Sequence, residues 1–351
     1  MRREACLLVP GRLDTPTGGY RYDRRLTAEL EHAGWQVDVH ELDASFPQPD
    51  AAALIDAGRV LASLPPHAAV IIDGLAYGAM PELAAEFARR LPLIALVHHP
   101  LAAETGLSAE MVARFEASER AALAAASHVI VTSGTTARRL ADYGVSAERI
   151  SVIEPGTDRV DRARRAPAGP IELLCVATLV PRKGHATLLE ALGGLADRDW
   201  TLTCVGSDRR DPITAQALHQ RAIALGLADR VTFTGEVDDA ELERHYAQAD
   251  LFVLATHDEG YGMALAEAIA HGLPIVSTTA GAVPATVRAD VALLVPPGDV
   301  AALRDALARV IAQPELRAQL AAAASAASER LPSWQQSGVR LAAVLESVLA
   351  R

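Results

Sequence analysis

Cysteine is scarce in this chain of 351 residues, and so are aromatic residues and long hydrophobic runs. The three cysteines, Cys6, Cys175 and Cys204, each lie in a short apolar run, and none has the spacing of a metal site or a redox pair. This pattern favours buried strand thiols in a reducing cytosol. The first apolar run stops at Pro10, too early for a signal peptide, and no later run is as long as a membrane span. We expect a cytoplasmic protein without stable membrane insertion, and peripheral association with the inner membrane stays open.

Basic residues are fewer than acidic ones, 33 against 44, so the formal net charge is −11. Such a chain is a poor candidate for binding nucleic acid, which depends on basic groups that neutralise phosphates. A local basic patch remains at Arg159, Arg162, Arg164 and Arg165, and we interpret it as a solvated linker. Half of the residues are apolar, which is typical of a globular protein and excludes a disordered chain.

Short apolar runs alternate with longer helical patterns along the whole chain. Nine runs have the composition of strands: ACLLV at 5, AAVIID at 68, LIALV at 93, HVIVT at 128, IELLCVA at 171, TLTCV at 201, VTFTG at 231, DLFVLAT at 250 and LPIVS at 273. Helical candidates between them include PELAAEFARRL and LSAEMVARFEASERAALAAA. Apolar strands that alternate with helices predict parallel sheets covered on both faces. The fold class is therefore α/β, with two doubly wound domains.

The domain boundary is expected in RARRAPAGP, where charge, proline and glycine cluster before a new strand begins. This divides the chain into a domain at 1–165 and a second domain at 166–333. The last segment, 334–351, is predicted to be an amphipathic helix that packs back on the first domain. Ligands of open parallel sheets bind beyond the carboxyl ends of the strands, so we expect the two domains to face a shared cleft.

The segment DLFVLATHDEGYGMALAEAIAHGLPIVST predicts a strand, a loop, a helix, a turn and a strand. The helix is expected to begin near Gly262 or Met263 and to end at Gly272. Glycines in the loop let the backbone approach a ligand closely. The helix N-terminus adds unpaired N–H groups and a positive dipole end, which suits a diphosphate.

Glu259 and Glu267 flank this predicted anion site. Carboxylates repel phosphates, so we expect them to accept hydrogen bonds from hydroxyl groups, one from a sugar and the other from a ribose diol. The alternative is that the pair is a helix cap and a solvated helix face. In the same predicted domain, Arg182 and Lys183 follow a strand in PRKG and precede a helix, where cationic side chains can reach a diphosphate. A plain surface turn is the alternative there.

At these motifs the chain resembles the family 4 retaining glycosyltransferases of the GT-B fold. The spacing E-x7-E within EGYGMALAEAIAHGLPIVST is similar to the signature of that family. PRKG, the turn after TLTCVG, the run VTFTGEV and the run ALLVPPGD match the same family in the same order. The resemblance covers essentially the whole chain and is strongest from 171 to 300. It implies two Rossmann-like domains that face a central cleft, with the donor in the second domain and the acceptor on the side of the first.

The resemblance also implies roles for individual residues. Glu267 would bind the ribose hydroxyls, Glu259 would lie beside the donor sugar, and Lys183 would hold the diphosphate. Backbone N–H groups near Gly262, Met263 and Ala264 would help to hold the diphosphate, and the backbone around Gly235 to Val237 would line the base.

The chain departs from the family at Thr178, where many relatives carry an arginine five residues before the lysine. Here the additional arginine is Arg182, directly before Lys183. We expect Arg182 to supply the missing charge. The alternative is that the diphosphate is held with one cation fewer.

On the acceptor side, Gly18 and Gly19 precede a predicted helix, and the comparable glycine loop of relatives approaches the donor phosphates and the acceptor. A tight turn is the alternative. His98 and His99 end a strand, and register with the family matches His98 to a histidine near the donor sugar. Adjacent strand residues point to opposite sides, so only one of them is expected to face the cleft. Other polar residues near predicted strand ends rank lower as cleft residues or as a helix cap: Tyr20, Tyr22, Asp23, Asp73 and Ser133.

The resemblance implies retention at the anomeric carbon, with the leaving diphosphate neutralised by Lys183, Arg182 and the helix N-terminus. No metal-binding motif stands at a convincing position, so we expect neither a metal nor a cofactor. The expected substrate is a nucleoside-diphosphate sugar such as a GDP- or UDP-hexose, and the acceptor stays open between a glycan, a lipid-linked sugar and a small molecule.

Two other functions fit the same pattern. A nucleotide-sugar epimerase or hydrolase would turn over the donor without an acceptor, and a non-catalytic partner would bind the sugar nucleotide without releasing nucleotide. A dinucleotide-dependent oxidoreductase is disfavoured, because no G-x-G-x-x-G follows the first strand.

Overall fold

A computed structural model describes residues 3–160 and 169–350 of the chain. The predicted domain boundary at 165–166 lies outside these described residues. So do three arginines of the basic patch, Arg162, Arg164 and Arg165. The chain divides into two compact units, one of residues 1–156 with 332–351 and one of residues 157–331.

The first unit contains a parallel sheet of six strands. They are β1 Glu4–Pro10, β2 Gln36–Leu42, β3 Ala69–Asp73, β4 Leu93–Val97, β5 His128–Val131 and β6 Ile150–Val152. The strand order is β2-β1-β3-β4-β5-β6, so the direction of winding reverses between β1 and β3. Strands β3, β4 and β5 are fully buried, and their residues are apolar except Asp73 and His128, as is typical of strands covered on both faces.

Helices connect these strands: α1 Gly18–His32, α2 Ala51–Ser63, α3 Gly74–Tyr77, α4 Pro81–Phe87, α5 Ala109–Ala125 and α6 Gly134–Ala141. Ser133 caps α6, as the sequence predicts. The predicted helix at 81–91 ends earlier, at Phe87, and residues 88–90 form a turn. Pro92 disfavours helical backbone only in the residue directly before it, so it explains why no helix reaches Leu91 but not the earlier end.

The second unit contains another six-stranded parallel sheet. Its strands are β7 Ile171–Val176, β8 Trp200–Val205, β9 Val231–Gly235, β10 Leu251–Leu254, β11 Ile275–Thr278 and β12 Ala292–Val295. The order β12-β11-β10-β7-β8-β9 places β7 and β10 side by side at the reversal of winding. Crevices beyond strand ends at such a reversal are where open α/β sheets bind ligands.

The helices of the second unit are α7 His185–Gly193, α8 Pro212–Ala224, α9 Asp239–Gln248, α10 Met263–Ala270, α11 Val283–Thr286, α12 Val300–Ala312 and α13 Pro314–Ser328. The last helix, α14 Trp334–Leu349, returns to the first unit and packs against α1. The two helices approach so closely that a side chain at Gly338 would collide with Glu29. Within the described part of the chain, none of the helices has the length and apolar composition that a membrane crossing requires.

All nine predicted strand runs contain strands. The structure also contains strands β2, β6 and β12, which were not among the predicted runs. The strand pattern in the sequence is weak at β2 and β6. Strand β2 is a sheet edge with mostly exposed side chains, and β6 has only three residues.

Candidate active site

Two loops of the second unit meet beyond the adjacent ends of β7 and β10. The first contains Pro181–Lys183, which form one turn of 3-10 helix before α7. The second follows β10 and leads into α10. The predicted cations lie on the first loop and the predicted Glu259 on the second, so the structure brings together residues that are far apart in the sequence.

Lys183 and Glu259 form an ion pair between these loops. The ammonium nitrogen lies 2.7 Å from Oε1 of Glu259, and the two side chains are 18% and 7% exposed. Burial raises the pKa of Glu259, but the charges of Lys183 and Arg182 and hydrogen bonds from Lys183 and Thr256 outweigh it, and the net pKa is lowered. Glu259 is therefore a carboxylate at neutral pH, held beside a partly exposed cation.

Arg182 holds the two loops together through both its side chain and its backbone. Its guanidinium donates to the carbonyl of Asp258 at 2.9 Å. Its own carbonyl accepts from the N–H of His257 at 2.7 Å and from the hydroxyl of Thr256 at 3.0 Å. The sequence predicted only the charge of Arg182. It did not predict that Arg182 would also link the two loops by hydrogen bonds.

Gly184 permits the close approach of the two loops. Its φ of +69° is a left-handed conformation, and a side chain there would lie 1.9 Å from the carbonyl oxygen of Ala255. A Cβ atom cannot be accommodated at that distance, so the glycine after Lys183 is needed for the fold of this site.

Helix α10 begins as the sequence predicts, with Gly262 as its N-cap at a φ of +93°. Met263 and Ala264 are its first two residues, and helix geometry leaves the N–H groups of a first turn without a partner inside the helix. The preceding loop is fixed by the N–H of Ala282, which donates to the carbonyl of Glu259 at 2.9 Å. The positive end of the helix dipole therefore lies next to the chain segment that carries Glu259.

Glu267 lies one turn inside α10, and the hydroxyl of Tyr246 donates to its Oε2 at 2.8 Å. Tyr246 is 2% exposed, and its ring stacks on His271 at 4.8 Å and on Phe252 at 6.0 Å between centroids. Sequence reasoning missed Tyr246, because a tyrosine on α9 has no local signal that links it to a glutamate on the next helix.

The predicted base-binding backbone lies at the end of β9. Gly235 is the last residue of that strand, and its carbonyl accepts from the N–H of Gly206 at 3.0 Å. Val237 is half-buried and packs against the core of the unit.

In the first unit, Gly18 and Gly19 are the first two residues of α1, which Thr17 caps. Gly19 lies beside the ring of His98. The structure thus brings the predicted glycine pair to one of the two strand-end histidines. His99 is half-buried.

The same histidine contacts two buried carboxylates. Nε2 of His98 lies 3.0 Å from Oδ1 of Asp23 and 3.5 Å from Oδ2 of Asp73. Tyr22 packs edge-on against the imidazole ring, and its hydroxyl donates to the carbonyl of Ile153 at 2.8 Å. Local sequence gives Asp23 and Asp73 only a weak signal as site residues, and the fold places both against the predicted site residue His98.

Two groups of described residues have the chemistry to hold a metal ion. Asp23, Asp73 and His98 form one, and Cys175, Cys204 and His185 form the other, each with its ligand atoms within 4.8 Å of one another. All three cysteines are free and buried on strands, as the sequence predicts. Spacing along the chain could not reveal the second group, because adjacent strands and α7 supply its members.

Two family models match the chain. The model of glycosyl transferases group 1 matches residues 157–327, and the model of Glycosyltransferase Family 4 matches residues 69–160. The chain is 30% identical over 335 residues to the MMP alpha-(1->4)-mannosyltransferase of Mycolicibacterium hassiacum, which covers 90% of this chain and 80% of that protein.

A second relative is the GDP-mannose-dependent alpha-(1-6)-phosphatidylinositol monomannoside mannosyltransferase of Mycobacterium tuberculosis. It is 34% identical over 203 residues, which are 52% of this chain and 51% of that protein. Among solved structures, sucrose-phosphate synthase from Thermosynechococcus elongatus aligns with a TM-score of 0.83 and 21% identity over 99% of both chains. At that identity the likeness shows the fold alone.

Proposed function

This chain is a glycosyltransferase of family 4, and we propose that it moves a hexosyl group from a nucleoside-diphosphate hexose to an acceptor hydroxyl, with retention at the anomeric carbon and without a metal ion or cofactor. The fold class expected from the sequence, two Rossmann-like α/β domains of the GT-B type, is confirmed by the two parallel sheets and by the solved relative.

The Lys183–Glu259 pair is the observation that carries the proposal. A diphosphate needs fixed positive charge, and Lys183 and Arg182 supply it next to the N-terminus of α10. Without donor, Glu259 offsets the charge of Lys183. With donor bound, we expect the ammonium to turn to the phosphates, while Glu259 accepts a hydrogen bond from a sugar hydroxyl.

Glu267 completes the donor site as the ribose anchor in this proposal. It is half-buried, and the hydroxyl of Tyr246 donates to its Oε2. A carboxylate fixed in this way is suited to accept hydrogen bonds from the two hydroxyls of a ribose diol.

The proposed step breaks the bond between the anomeric carbon and the diphosphate oxygen. The acceptor oxygen bonds to the same face of that carbon, and its proton passes to an oxygen of the leaving diphosphate. Lys183, Arg182 and the α10 N-terminus stabilise the charge that develops on the leaving group. No side chain is then required as a strong base.

Mannosyl transfer is the first reaction to test, because both relatives described above are named mannosyltransferases and one name specifies GDP-mannose. Nucleotide release would be measured with GDP-mannose and UDP-glucose, with EDTA present, against glycan, lipid-linked and small polyol acceptors. We expect release that depends on an acceptor, and an α-linked product by NMR.

Each other outcome selects a different function. Release without any acceptor identifies a hydrolase or epimerase, and donor binding without release identifies a binding protein. Loss of activity in EDTA contradicts metal independence, and absence of donor binding contradicts the proposal as a whole.

A further inference from the structure

Three side chains with the chemistry of metal ligands meet in the core of the second unit. Cys175 is on β7, Cys204 is its register partner on the adjacent strand β8, and His185 is the first residue of α7. The three residues are 1%, 2% and 2% exposed. Their ligand atoms, two thiol sulfurs and one imidazole nitrogen, all lie within 4.8 Å of one another. The fold has therefore assembled a compact set of two sulfur ligands and one nitrogen ligand away from solvent.

The spacing of these atoms fits a tetrahedral zinc ion. Sγ of Cys175 lies 3.6 Å from Nε2 of His185. Zn–S bonds of about 2.3 Å and Zn–N bonds of about 2.0–2.1 Å place a sulfur and a nitrogen ligand roughly 3.5 Å apart. The same bonds place two sulfur ligands roughly 3.8 Å apart, which is inside the 4.8 Å span of the group. An ion between the three atoms therefore requires only small shifts of the side chains.

The ligand types and their burial select zinc among the common ions. Magnesium and calcium prefer oxygen ligands, whereas thiolate and imidazole together suit zinc and copper. Two thiolates cancel the charge of Zn²⁺, while Cu⁺, the form of copper under reducing conditions, would leave a net negative charge. A buried position tolerates a neutral complex far better than a charged one. Zn²⁺ is therefore the ion that this group fits best.

We propose that Cys175, Cys204 and His185 form a structural zinc site, with a water molecule as the fourth ligand. As the ion binds, the group releases two protons to water, each sulfur forms a bond to zinc as a thiolate, and Nε2 of the neutral imidazole supplies its lone pair. Nδ1 then carries the imidazole proton. Among the described residues it has no hydrogen-bond partner, so the affinity should be lower than in zinc sites whose histidine donates to a carbonyl or carboxylate.

The position of His185 links the zinc site to the loop that carries the proposed diphosphate ligand. His185 follows Lys183 and Gly184 directly and begins α7. A bond from His185 to an ion held by β7 and β8 fixes the start of this helix against the sheet. Because its ligands are buried, the ion has a structural role and takes no part in the transfer step, for which metal independence is proposed. Burial also means that the ion enters while the unit folds.

The first test measures zinc in the full chain. The protein, without an affinity tag, is produced with zinc in the medium, purified with a phosphine reductant and analysed by inductively coupled plasma mass spectrometry. We expect about one zinc ion per chain, retained during brief exposure to EDTA. After unfolding in urea with EDTA and removal of the chelator, refolding with Co²⁺ should produce the sulfur-to-cobalt charge-transfer band that reports thiolate ligands.

Stability provides a second measurement on the same protein. Refolding with and without Zn²⁺ yields the two forms, which are compared by thermal unfolding. Free zinc at roughly 100-fold above its Kd should raise Tm by about 5–10 °C. An equal Tm in the two forms would overturn the proposal.

The ligand variants Cys175→Ala, Cys204→Ala and His185→Gln should each reduce the bound zinc and the cobalt band to background. Cys6→Ala is the matched control, because Cys6 is also a free, buried strand cysteine but lies on β1 of the first unit. It should keep both the ion and the band. If Cys204→Ala does not fold, Cys204→Ser preserves the size of the side chain and should still lower the bound zinc and weaken the band.

Three results would overturn the proposal. The first is a wild-type zinc content no higher than that of the ligand variants. The second is a zinc ion that persists in all of these variants, which would place it elsewhere in the chain. The third is a disulfide between Cys175 and Cys204 in the reduced preparation, detected by counting thiols in the denatured protein. None of these measurements uses a sugar donor, so their outcome is independent of the proposed function.

Discussion

The Nζ atom of Lys183 lies 2.7 Å from Oε1 of Glu259, although the two residues are 76 positions apart in the chain. The pair joins the loop after β7 to the loop after β10, at the place where the sheet of the second unit reverses its winding. A buried carboxylate is stable only with such a partner. If Lys183 holds the diphosphate as proposed, donor recognition and local stability are coupled at one ion pair.

Lys183→Ala should lower both donor affinity and stability. It leaves Glu259 buried without its cation, and breaking such a pair costs about 3–5 kcal/mol of the free energy of unfolding. The double variant Lys183→Met, Glu259→Gln removes both charges and should recover most of the stability but none of the donor affinity. Urea unfolding and calorimetric titration with nucleotide sugar measure the two effects. If the double variant bound donor as the wild type does, Lys183 would not be the diphosphate ligand.

Arg182→Ala should weaken donor binding about 10- to 100-fold, because in the proposed site Arg182 carries charge at the diphosphate, and because its guanidinium fixes the loop through Asp258. Arg182→Lys keeps the charge and should recover part of the loss. Arg309, exposed on α12 of the same unit, provides the control Arg309→Ala, for which we expect unchanged affinity. Wild-type donor affinity in Arg182→Ala would refute the idea that this arginine compensates for Thr178.

Tyr246→Phe should weaken nucleotide binding by roughly 3- to 10-fold, the value of one hydrogen bond to a charged group that partly re-forms with water. The ring should still stack on Phe252 and His271, so the fold is expected to persist. The effect should disappear with a nucleoside diphosphate that lacks both ribose hydroxyls, since Glu267 then has no ligand to bind. An equal loss with both nucleotides would show that Tyr246 does not act through the ribose contact.

Glu119→Gln should remove a pH dependence of stability in the first unit. Burial raises the pKa of Glu119 to about 8, against hydrogen bonds from Leu101 and Tyr143 that lower it. The pKa of Glu119 is therefore higher in the folded than in the unfolded protein. The resulting stabilisation is complete below the unfolded-state pKa near 4.5 and is lost as pH rises towards 8. The loss is at most about 1.4 kcal/mol per pH unit.

The glutamine variant mimics the protonated acid at every pH. Its free energy of unfolding should therefore exceed that of the wild type at pH 8 and match it near pH 4.5, when both are measured by urea unfolding. Parallel stability curves for the two proteins across this range would show that Glu119 is ionised in the folded state.

Much of the fold could be predicted from the sequence, because the relevant signals are local. Buried strands such as β4 are apolar at every position, and Gly262 marks the beginning of α10 through its own backbone conformation. Strand β2 carries a weaker signal, because one side of an edge strand meets water and its side chains are mixed. The position of Lys183 in a strand-end loop was likewise visible from the residues around it.

The partners of the site residues could not be predicted, since each lies on a separate strand or helix. Nothing near Tyr246 in sequence indicates a contact with Glu267, and Asp23 and His98 are 75 positions apart. The sequence by itself determined the α/β class, the family and the residue types suited to hold a diphosphate, because these depend on neighbouring residues and their spacing. Only the tertiary structure decided which carboxylate meets which cation, because the order of strands in a sheet is set by packing between distant segments.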